Sequence, residues 1–474
     1  MKHLNTLYIA CISLIAVAFV VVFDTFPRST VSQLEKRELA VFPDFTIEKL
    51  FDGSFTRDVS SWFSDSEPYR DGFMTLSMKL KDIIRINVGD DNVTFHAADA
   101  PMQPIEETPS DTTDVDSTKN MGDLNAKIAN AGIMIVGSGP TARALMAFGG
   151  SVGGGRGYAE TVNLYKETFP EANVYSMVIP LATDFYIPEK VRSRSRPQRP
   201  VIEGVYSYLS SNVNGINVYD VLEKHANEDI YLRTDHHWAP LGAYYAAQEF
   251  ARVAGVPFRD LSSYDRHVVH RFVGSMYGYS KDIAIKEAPE DFVYYTPRDV
   301  NYNTSYINYT VDSTYRVRSE SRLVKGPYFY KYNDGNGGAY CTFMGGDMKI
   351  TQVRTSTHNG RRLLILKDSY GNAIPGYLFY SFEEIHVVDD RYFTKNMKTY
   401  VRENGITDIL FANNTFNIYS VHVNIRRYLT QKGGIEPPQR KDTITALVDS
   451  VASPTPVAVP EPTQESTDSV KNEE

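Results

Sequence analysis

The feature that most constrains this chain of 474 residues is a set of short aliphatic runs that alternate with helix-forming stretches. The stretch 240–254 is rich in alanine and aromatic residues and begins with proline, which is typical of the first turn of a helix. Buried strands that alternate with helices are the pattern of α/β proteins with a parallel sheet. The sequence therefore predicts an α/β fold with a parallel sheet flanked by helices. The runs of strand length are 133–136, 174–180, 215–219, 362–366, 384–388 and 408–412.

Three other segments differ in composition from this pattern. Residues 277–350 combine Tyr, Thr, Asn and Val with many turn residues, which predicts a β-rich insertion. Residues 97–120 and 445–474 are rich in Pro, Glu, Ser and Thr and cannot bury enough apolar surface to offset the entropy of ordering. We expect the first to be a disordered loop and the second a disordered tail, with the α/β domain over 121–440.

The N-terminal segment 1–24 contains an uncharged run over 7–23 that is just long enough to cross a bilayer. A cleaved signal peptide is the alternative, but the Val-Val-Val-Phe sequence at 20–23 lacks the small side chains of a cleavage site. We expect an uncleaved anchor in the inner membrane, with the rest of the chain on the extracytoplasmic side. Residues 25–96 then predict an amphipathic helical region next to the membrane, with apolar residues at helical spacing over 59–86.

Charge argues against nucleic-acid binding, and cysteine content argues against a disulfide-stabilised fold. The formal net charge is -9, which gives no basic footprint of the kind that nucleic-acid binding requires. The two cysteines, Cys11 and Cys341, cannot build a disulfide framework. We therefore expect no nucleic-acid partner.

Three adjacent polar side chains, Asp235, His236 and His237, offer an acid and a base. An aspartate two residues before a histidine can hold the imidazole in one tautomer and stabilise its charged form, and Trp238 can pack under the ring. A metal site is the alternative, as is a simple helix start. The other histidines show no compact ligand spacing, so we expect neither a metal nor another cofactor; they include His267, His270 and His358.

Ser369 follows the aliphatic run 362–366 in a turn of small and polar residues. Ligands of open α/β sheets bind at the carboxyl ends of strands, and a serine there is a nucleophile when an imidazole removes its proton. A serine in this position is equally an ordinary helix N-cap. The turn amides of Ser369 and Gly371 are candidates for an oxyanion hole. The further candidates for an oxyanion or substrate contact are Asn413, Tyr370 and Arg391.

Two motifs together resemble a known family. The sequence Thr-Asp-His-His-Trp at 234–238, followed by Leu-Gly-Ala-Tyr at 241–244, looks like the signature of the DHHW protein family. Members of that family resemble alginate O-acetylation proteins of the AlgX/AlgJ type, which have a permuted SGNH-hydrolase fold. The resemblance thus implies an SGNH-hydrolase-like, flavodoxin-like parallel sheet flanked by helices. In that group an Asp-x-His-Trp motif precedes an Asp-Ser-Tyr motif, here at 368–370. The resemblance covers most of the chain from residue 35 to about 430.

The resemblance implies that Ser369 is the nucleophile, that His237 is its base, with His236 as the alternative base, and that Asp235 orients the imidazole. We expect a ring nitrogen of the base within about 3 Å of the serine hydroxyl. The implied function is an extracytoplasmic O-acetyltransferase that moves acyl groups onto an exported bacterial polysaccharide. Its acyl donor would come from a membrane acyltransferase. An O-acetyl esterase of the same fold, or a non-catalytic envelope protein that binds glycan or a partner, are the alternatives.

Overall fold

A computed structural model gives the fold. It describes scattered residues between 12 and 32 and between 72 and 76, and the ranges 37–70, 93–96, 132–312 and 316–434. The predicted disordered segments 97–120 and 445–474 lie outside the described residues, and the predicted anchor over 7–23 lies mostly outside them. Among the residues that are described, no helix has both the length and the apolar character needed to span a bilayer.

The described strands are β1 (Val31–Ser32), β2 (Arg37–Glu38), β3 (Val93–His96), β4 (Ile133–Val136), β5 (Arg143–Met146), β6 (Asn173–Ile179), β7 (Asn214–Gly215), β8 (Tyr264–Phe272), β9 (Glu290–Pro297), β10 (Tyr302–Val311), β11 (Val317–Glu320), β12 (Val324–Gly326), β13 (Lys349–Thr355), β14 (Arg362–Lys367), β15 (Glu384–Asp389) and β16 (Asp408–Asn414). The described α-helices are α1 (Ile47–Phe51), α2 (Ser54–Asp65), α3 (Arg156–Thr168), α4 (Thr183–Tyr186), α5 (Arg199–Ser207), α6 (Val218–Lys224), α7 (Pro240–Ala254), α8 (Ser275–Ser280), α9 (Ile283–Lys286), α10 (Met397–Glu403) and α11 (Val421–Tyr428). Short 3₁₀ helices occur as well, among them Ala339–Thr342, Ser369–Ala373 and Pro375–Leu378.

One large sheet dominates the described part, with the strand order β11-β10-β13-β15-β14-β16-β6-β7 and with β12 also paired to β10. Strands β15, β14, β16, β6 and β7 run parallel to one another, whereas β13 pairs antiparallel with β15 and β10, and β10 pairs antiparallel with β11 and β12. The prediction of a parallel sheet is therefore wrong for one half. The reason is that strands of the β-rich insertion extend the same sheet through β13.

Helices cover both faces of the parallel half, as the sequence predicts. Neighbouring residues of a strand point to opposite faces. Tyr175 of β6 packs edge-on against Phe250 of α7, while Phe411 of β16 packs edge-on against Tyr165 of α3. Because Phe411 pairs with Ser176, the residue after Tyr175, these two contacts lie on opposite faces of the sheet. Strands covered on both faces are continuously apolar, which explains the aliphatic runs of β14 and β16.

The sequence predicts the ends of several elements well, but two predicted strands need correction. The run at 215–219 is strand only at its first residue, in β7, and helix α6 begins at Val218. Helix α7 has the predicted bounds, with Pro240 in its first turn and the left-handed Gly255 (φ 63°) after its last residue. The run at 133–136 is a strand, β4, but it belongs to a separate sheet with β3 and β5. The amphipathic helix predicted over 59–86 is described only in part, as α2, and residues 77–86 lie outside the described ranges.

Candidate active site

Ser369, His237 and Asp235 form a hydrogen-bonded chain across 132 residues of sequence. His237 Nε2 lies 2.8 Å from Ser369 Oγ, and His237 Nδ1 lies 2.6 Å from Asp235 Oδ1. All three residues are buried, with 6% of Ser369 exposed. This is the geometry in which an imidazole accepts a serine proton while a carboxylate holds the other ring nitrogen. The distance to the serine agrees with the value expected from the sequence.

The turn after β14 presents Ser369 at the carboxyl end of the strand. Ser369 begins a 3₁₀ helix, and Asp368 caps it by accepting a hydrogen bond from the Tyr370 amide (2.9 Å). The other carboxylate oxygen of Asp368 accepts from the amide of Asn414 (2.7 Å) and the side chain of Asn417 (2.9 Å). Asp368 therefore fixes the turn to β16 and makes no contact with the imidazole in the described structure.

Asp235 is held by the residues Gly274 and Ser275 at the start of α8. The Ser275 amide donates to Asp235 Oδ2 (2.8 Å), and a Cβ atom on Gly274 would lie 2.4 Å from Asp235 Cβ. Burial raises the pKa of the Asp235 carboxyl, but the adjacent His237 outweighs it, so the pKa lies well below its usual range. Asp235 is therefore ionised and oriented before any substrate binds.

A buried carboxylate, Glu290 of β9, supports the segment that precedes Asp235. Glu290 Oε1 accepts from the Thr234 amide and hydroxyl (both 2.6 Å), and Glu290 accepts from the Arg233 amide (2.9 Å). The Thr234 hydroxyl oxygen in turn accepts from the Gly274 amide (3.0 Å). Burial raises the pKa of Glu290. This residue had no sequence motif to reveal it, because it acts through backbone atoms.

His236 makes no hydrogen bond with Ser369 in the described structure. Its Nδ1 lies 2.6 Å from Ser275 Oγ, and its Nε2 is buried without a hydrogen-bond partner among the described residues. Burial and the nearby His237 lower the pKa of His236 to about 3, so the ring is neutral near neutral pH. The geometry therefore favours His237 over His236 as the base and gives His236 a contact with the serine that holds Asp235.

Tyr340 lies flat on the imidazole of His237, with ring centroids 3.8 Å apart and planes 5° apart. Its hydroxyl donates to the carbonyl oxygens of Ser369 (3.1 Å) and Tyr370 (3.2 Å). The sequence interpretation assigned this packing role to Trp238, which instead donates from its indole Nε1 to the Tyr370 carbonyl (2.9 Å). Tyr340 thus orients both the base and the turn of the nucleophile, and no local pattern around it indicated this.

Two of the candidate oxyanion donors, the Gly371 amide and the Asn413 side chain, form hydrogen bonds with other protein groups. The Gly371 amide donates to the Asp368 carbonyl (3.0 Å) inside the turn, and a Cβ atom on Gly371 would lie 2.5 Å from Lys367 Cβ. Asn413 donates to Asp390 Oδ2 (2.5 Å) and accepts from the Tyr158 hydroxyl (3.1 Å). In the described structure, both groups therefore already have hydrogen-bond partners. The amide of Ser369, the first residue of its 3₁₀ helix, makes no hydrogen bond within the described structure, which leaves it as the candidate donor.

Arg391 and Tyr370 also have structural partners. Arg391 binds Asp389 (Nε to Oδ1, 2.8 Å) and Asp347 (Nη2 to Oδ2, 2.9 Å), and Lys367 Nζ lies 2.9 Å from each of the same two carboxylates. This four-charge cluster is self-compensating, which buried charges require. The Tyr370 hydroxyl donates to the His236 carbonyl and so joins the turn of the nucleophile to the segment of the base.

A metal ion would compete with the relay. The possible ligand atoms of Asp235, His236 and His237 lie within 4.8 Å of one another, so these three side chains are close enough to bind a metal ion together. However, both ring nitrogens of His237 are already engaged, by Asp235 and by Ser369. Holding an ion through His237 would break one of those two contacts.

Comparisons with known proteins point to one family. The family model of the DHHW protein matches residues 35–121 and 111–388. A crystal structure of a DHHW family protein from Eubacterium siraeum is 38% identical, covers 63% of this chain and 96% of its own, and has a TM-score of 0.57. Bacillus cereus PatB1 with a sulfonyl adduct is 18% identical over 60% of this chain and 95% of its own, with a TM-score of 0.47. The O-acetyltransferase domain of Pseudomonas putida AlgJ is 11% identical over 63% and 93%, with a TM-score of 0.34.

No curated protein sequence matches the chain. The family model nevertheless spans both motifs of the candidate site as far as residue 388, including Asp235, His237 and Ser369. It covers well over half of the sequence. The chain belongs to the DHHW family.

Proposed function

We propose that this protein is an SGNH-like acyl-transfer enzyme, an O-acetyltransferase that acts on an exported polysaccharide outside the cytoplasmic membrane. The observation that carries the proposal is the position of His237 between Asp235 and Ser369, at 2.6 Å and 2.8 Å. A serine, an imidazole and a carboxylate in this order are the parts of a nucleophilic relay. The choice of acetyl as the acyl group and of a polysaccharide as the acceptor rests on the resemblance to AlgX/AlgJ-type proteins.

In the first half of the reaction, Ser369 Oγ attacks the carbonyl carbon of an acetyl ester, and His237 Nε2 accepts the hydroxyl proton. Asp235 stabilises the imidazolium ion, and the Ser369 amide donates to the negative oxygen of the tetrahedral intermediate. The bond to the donor's oxygen then breaks, and this oxygen takes the proton from His237. The products are the free donor alcohol and an acetyl ester on Ser369.

In the second half, a sugar hydroxyl replaces the donor. Its oxygen attacks the acetyl carbon while His237 accepts its proton, and the collapse of the intermediate returns this proton to Ser369 Oγ. Water at the same position would give acetate and an esterase. The relay serves both outcomes, so the acceptor that reaches the acetyl ester decides between transferase and esterase.

The nucleophile can be tested with a serine-reactive fluorophosphonate. We expect the wild-type protein to be labelled and Ser369→Ala to be unlabelled. Ser207→Ala, which changes an exposed serine outside the candidate site, is the control and should be labelled. Intact mass spectrometry after incubation with p-nitrophenyl acetate should show one added acetyl group that is absent from Ser369→Ala. An unlabelled wild type, or equal labelling of wild type and Ser369→Ala, would refute the assignment.

The choice of acceptor needs a second measurement. Acetylated enzyme should be discharged faster by an oligosaccharide than by buffer alone, with the acetyl group recovered on the sugar. Discharge at the same rate with and without sugar would identify an esterase. For the location, the chain should be found in the membrane fraction of a bacterium that expresses it, with the epitope-tagged C-terminus accessible from outside the cytoplasmic membrane.

A further inference from the structure

The β-rich insertion contains a cleft of about 500 Å³ that the proposed reaction does not use. It lies between the first residues of β10 and the segment 325–329, which we call the cleft strap. The lining residues are Tyr302, Asn303 and Thr304 of β10 and residues 325–329 of the strap. Its size falls within the range of roughly 300–1,000 Å³ that is typical of small-molecule sites.

One buried polar group in the lining of this cleft, the Thr304 hydroxyl, lacks a partner in the described part of the protein. Thr304 is buried, with 5% exposed, and its hydroxyl makes no hydrogen bond. The side chains of Lys325, which is exposed, and Tyr302, which is partly exposed, make no ion pair or hydrogen bond with other described residues and are open to solvent or to a ligand. Burying a hydroxyl without a partner costs free energy, so an unsatisfied group of this kind calls for an explanation. A ligand that carries hydroxyl groups supplies the missing partner.

Aromatic side chains form the apolar part of the lining. Tyr302 and Phe329 are both partly exposed, and their ring centroids lie 6.4 Å apart, with planes at 79°. Tyr328 lies behind Phe329, with ring centroids 4.8 Å apart. An aromatic face beside a few polar groups suits a sugar ring, which has an apolar C–H face and a rim of hydroxyl groups. A purely apolar ligand would leave the polar groups of the cleft unsatisfied.

The cleft strap also touches both halves of the candidate active site. The Tyr328 hydroxyl donates to the carbonyl of Asn372 (3.3 Å), in the turn that begins with Ser369. The backbone of Tyr328 accepts from the Met344 amide (2.7 Å), and Phe329 pairs with Phe343, which directly follows the 3₁₀ helix that contains Tyr340. A ligand in the cleft therefore lies against a segment that packs on the nucleophile's turn and on the ring that covers His237.

We propose that this cleft is a saccharide subsite that binds one sugar unit of the polysaccharide acceptor. Tyr302 and Phe329 contact the sugar ring, while Thr304 and Lys325 bind its hydroxyl or acidic groups. The identity of the ligand as part of the acceptor rests on the proposed function. The existence of a sugar site does not, because the cleft and its unsatisfied groups are independent of Ser369.

The test measures binding of cellohexaose, chitohexaose and hexagalacturonate to the full chain by isothermal titration calorimetry. We expect at least one of these probes to bind the wild type. Tyr302→Ala should weaken its affinity about tenfold or more, because the stacking surface is lost, and Lys325→Ala should weaken it several-fold. Tyr208→Ala and Lys331→Ala are matched controls, which remove an exposed tyrosine and lysine outside the cleft and should bind as the wild type does.

Thr304→Val separates a ligand contact from a structural role. Replacing a buried, unpartnered hydroxyl with a methyl group should leave the unliganded protein at least as stable, yet weaken sugar binding by about fivefold, the value of one hydrogen bond. Failure of all three probes to bind the wild type, or unchanged binding in all three cleft variants, would overturn the subsite. Fluorophosphonate labelling of the same proteins tests the proposed function separately: sugar binding without labelling of Ser369 would refute the enzyme and support the subsite.

Discussion

Individual side chains in the candidate site are oriented by neighbours on every side. His237 is fixed at Nδ1 by Asp235, at Nε2 by Ser369 and on one ring face by Tyr340. Orientation of this kind lowers the entropy that a reaction must otherwise overcome. Two side chains can be tested at this scale: the stacked ring of Tyr340 and the buried carboxyl group of Asp390, which directly follows β15.

The hydroxyl and the ring of Tyr340 have separable roles. Tyr340→Phe keeps the stack on His237 and loses the hydrogen bonds to two carbonyls, so it should lower the free energy of unfolding by about 1 kcal/mol and keep most of the Ser369 labelling. Tyr340→Ala also removes the ring and should cost about 3–5 kcal/mol, with labelling reduced at least tenfold. Urea unfolding and fluorophosphonate labelling measure the two effects. Equal labelling of Tyr340→Ala and wild type would contradict the orienting role.

Asp390 should make stability depend on pH. It is fully buried, its Oδ1 has no partner among the described residues, and burial together with the adjacent Asp389 raises its pKa well above the usual value. A raised pKa in the folded state means that its contribution is fully present below about pH 4 and is lost as pH rises through the folded pKa. Asp390→Asn cannot ionise but can still accept from Asn413.

The stability of Asp390→Asn relative to wild type should therefore increase as the pH rises. The gain is at most about 1.4 kcal/mol per pH unit between the unfolded and folded pKa values of Asp390. Urea unfolding of both proteins at about pH 5 and about pH 8 measures it. A difference in stability that is the same at both pH values would show that Asp390 is not protonated in the fold.

At the scale of elements, the site is assembled from four chain segments that meet at the end of β14. The turn after this strand supplies Ser369, the loop before α7 supplies His237 and Asp235, the start of α8 holds Asp235, and the 3₁₀ helix Ala339–Thr342 supplies Tyr340. Direct contact between relay side chains connects only the turn after β14 and the loop before α7. The others act by close packing, which makes small residues sensitive positions.

Gly274→Ala tests this packing. The φ of Gly274 is -82°, a value that any residue adopts, so the substitution does not strain the backbone. Its cost is steric, because the added methyl group would lie 2.4 Å from the Cβ atom of Asp235. We expect labelling of Ser369 to fall at least tenfold as Asp235 is displaced, with far-UV circular dichroism unchanged. Gly278→Ala, in the same helix with open space around it, is the control and should label normally. Equal labelling of the two variants would exclude a positioning role for Gly274.

The sequence predicts the parts of this site that follow local patterns. An aliphatic run that ends in Asp-Ser places Ser369 after a strand, and the proximity of Asp235 to His237 in sequence places both on one loop. Glu290 and Tyr340 could not be found in this way, because their contacts join residues 57 and 29 positions apart and depend on how the insertion folds back. The antiparallel half of the sheet was missed for the same reason, since strand pairing is a tertiary choice that composition does not encode.

For the whole molecule, β13 has the decisive position, because it pairs with β10 of the insertion on one side and with β15 of the parallel half on the other. Ile350 of β13 is fully buried, opposite Ile307 and Val388. Asp347, in the turn before β13, also binds Lys367 of β14. The insertion and the parallel half share one sheet and one core, so we expect them to unfold together.

Ile350→Ala tests this coupling and should lower the free energy of unfolding by about 2–5 kcal/mol, because it leaves a cavity in the shared core. In a Trp62→Phe background, fluorescence reports on Trp238 beside the candidate site, and near-UV circular dichroism reports mainly on tyrosines, of which the insertion has many. Both signals should change at one urea concentration, and Ile350→Ala should move both by the same amount. Two separate midpoints, or a shift of the near-UV signal alone, would mean that the insertion is an independent folding unit. In that case its cleft can respond to a ligand without affecting the turn that contains Ser369.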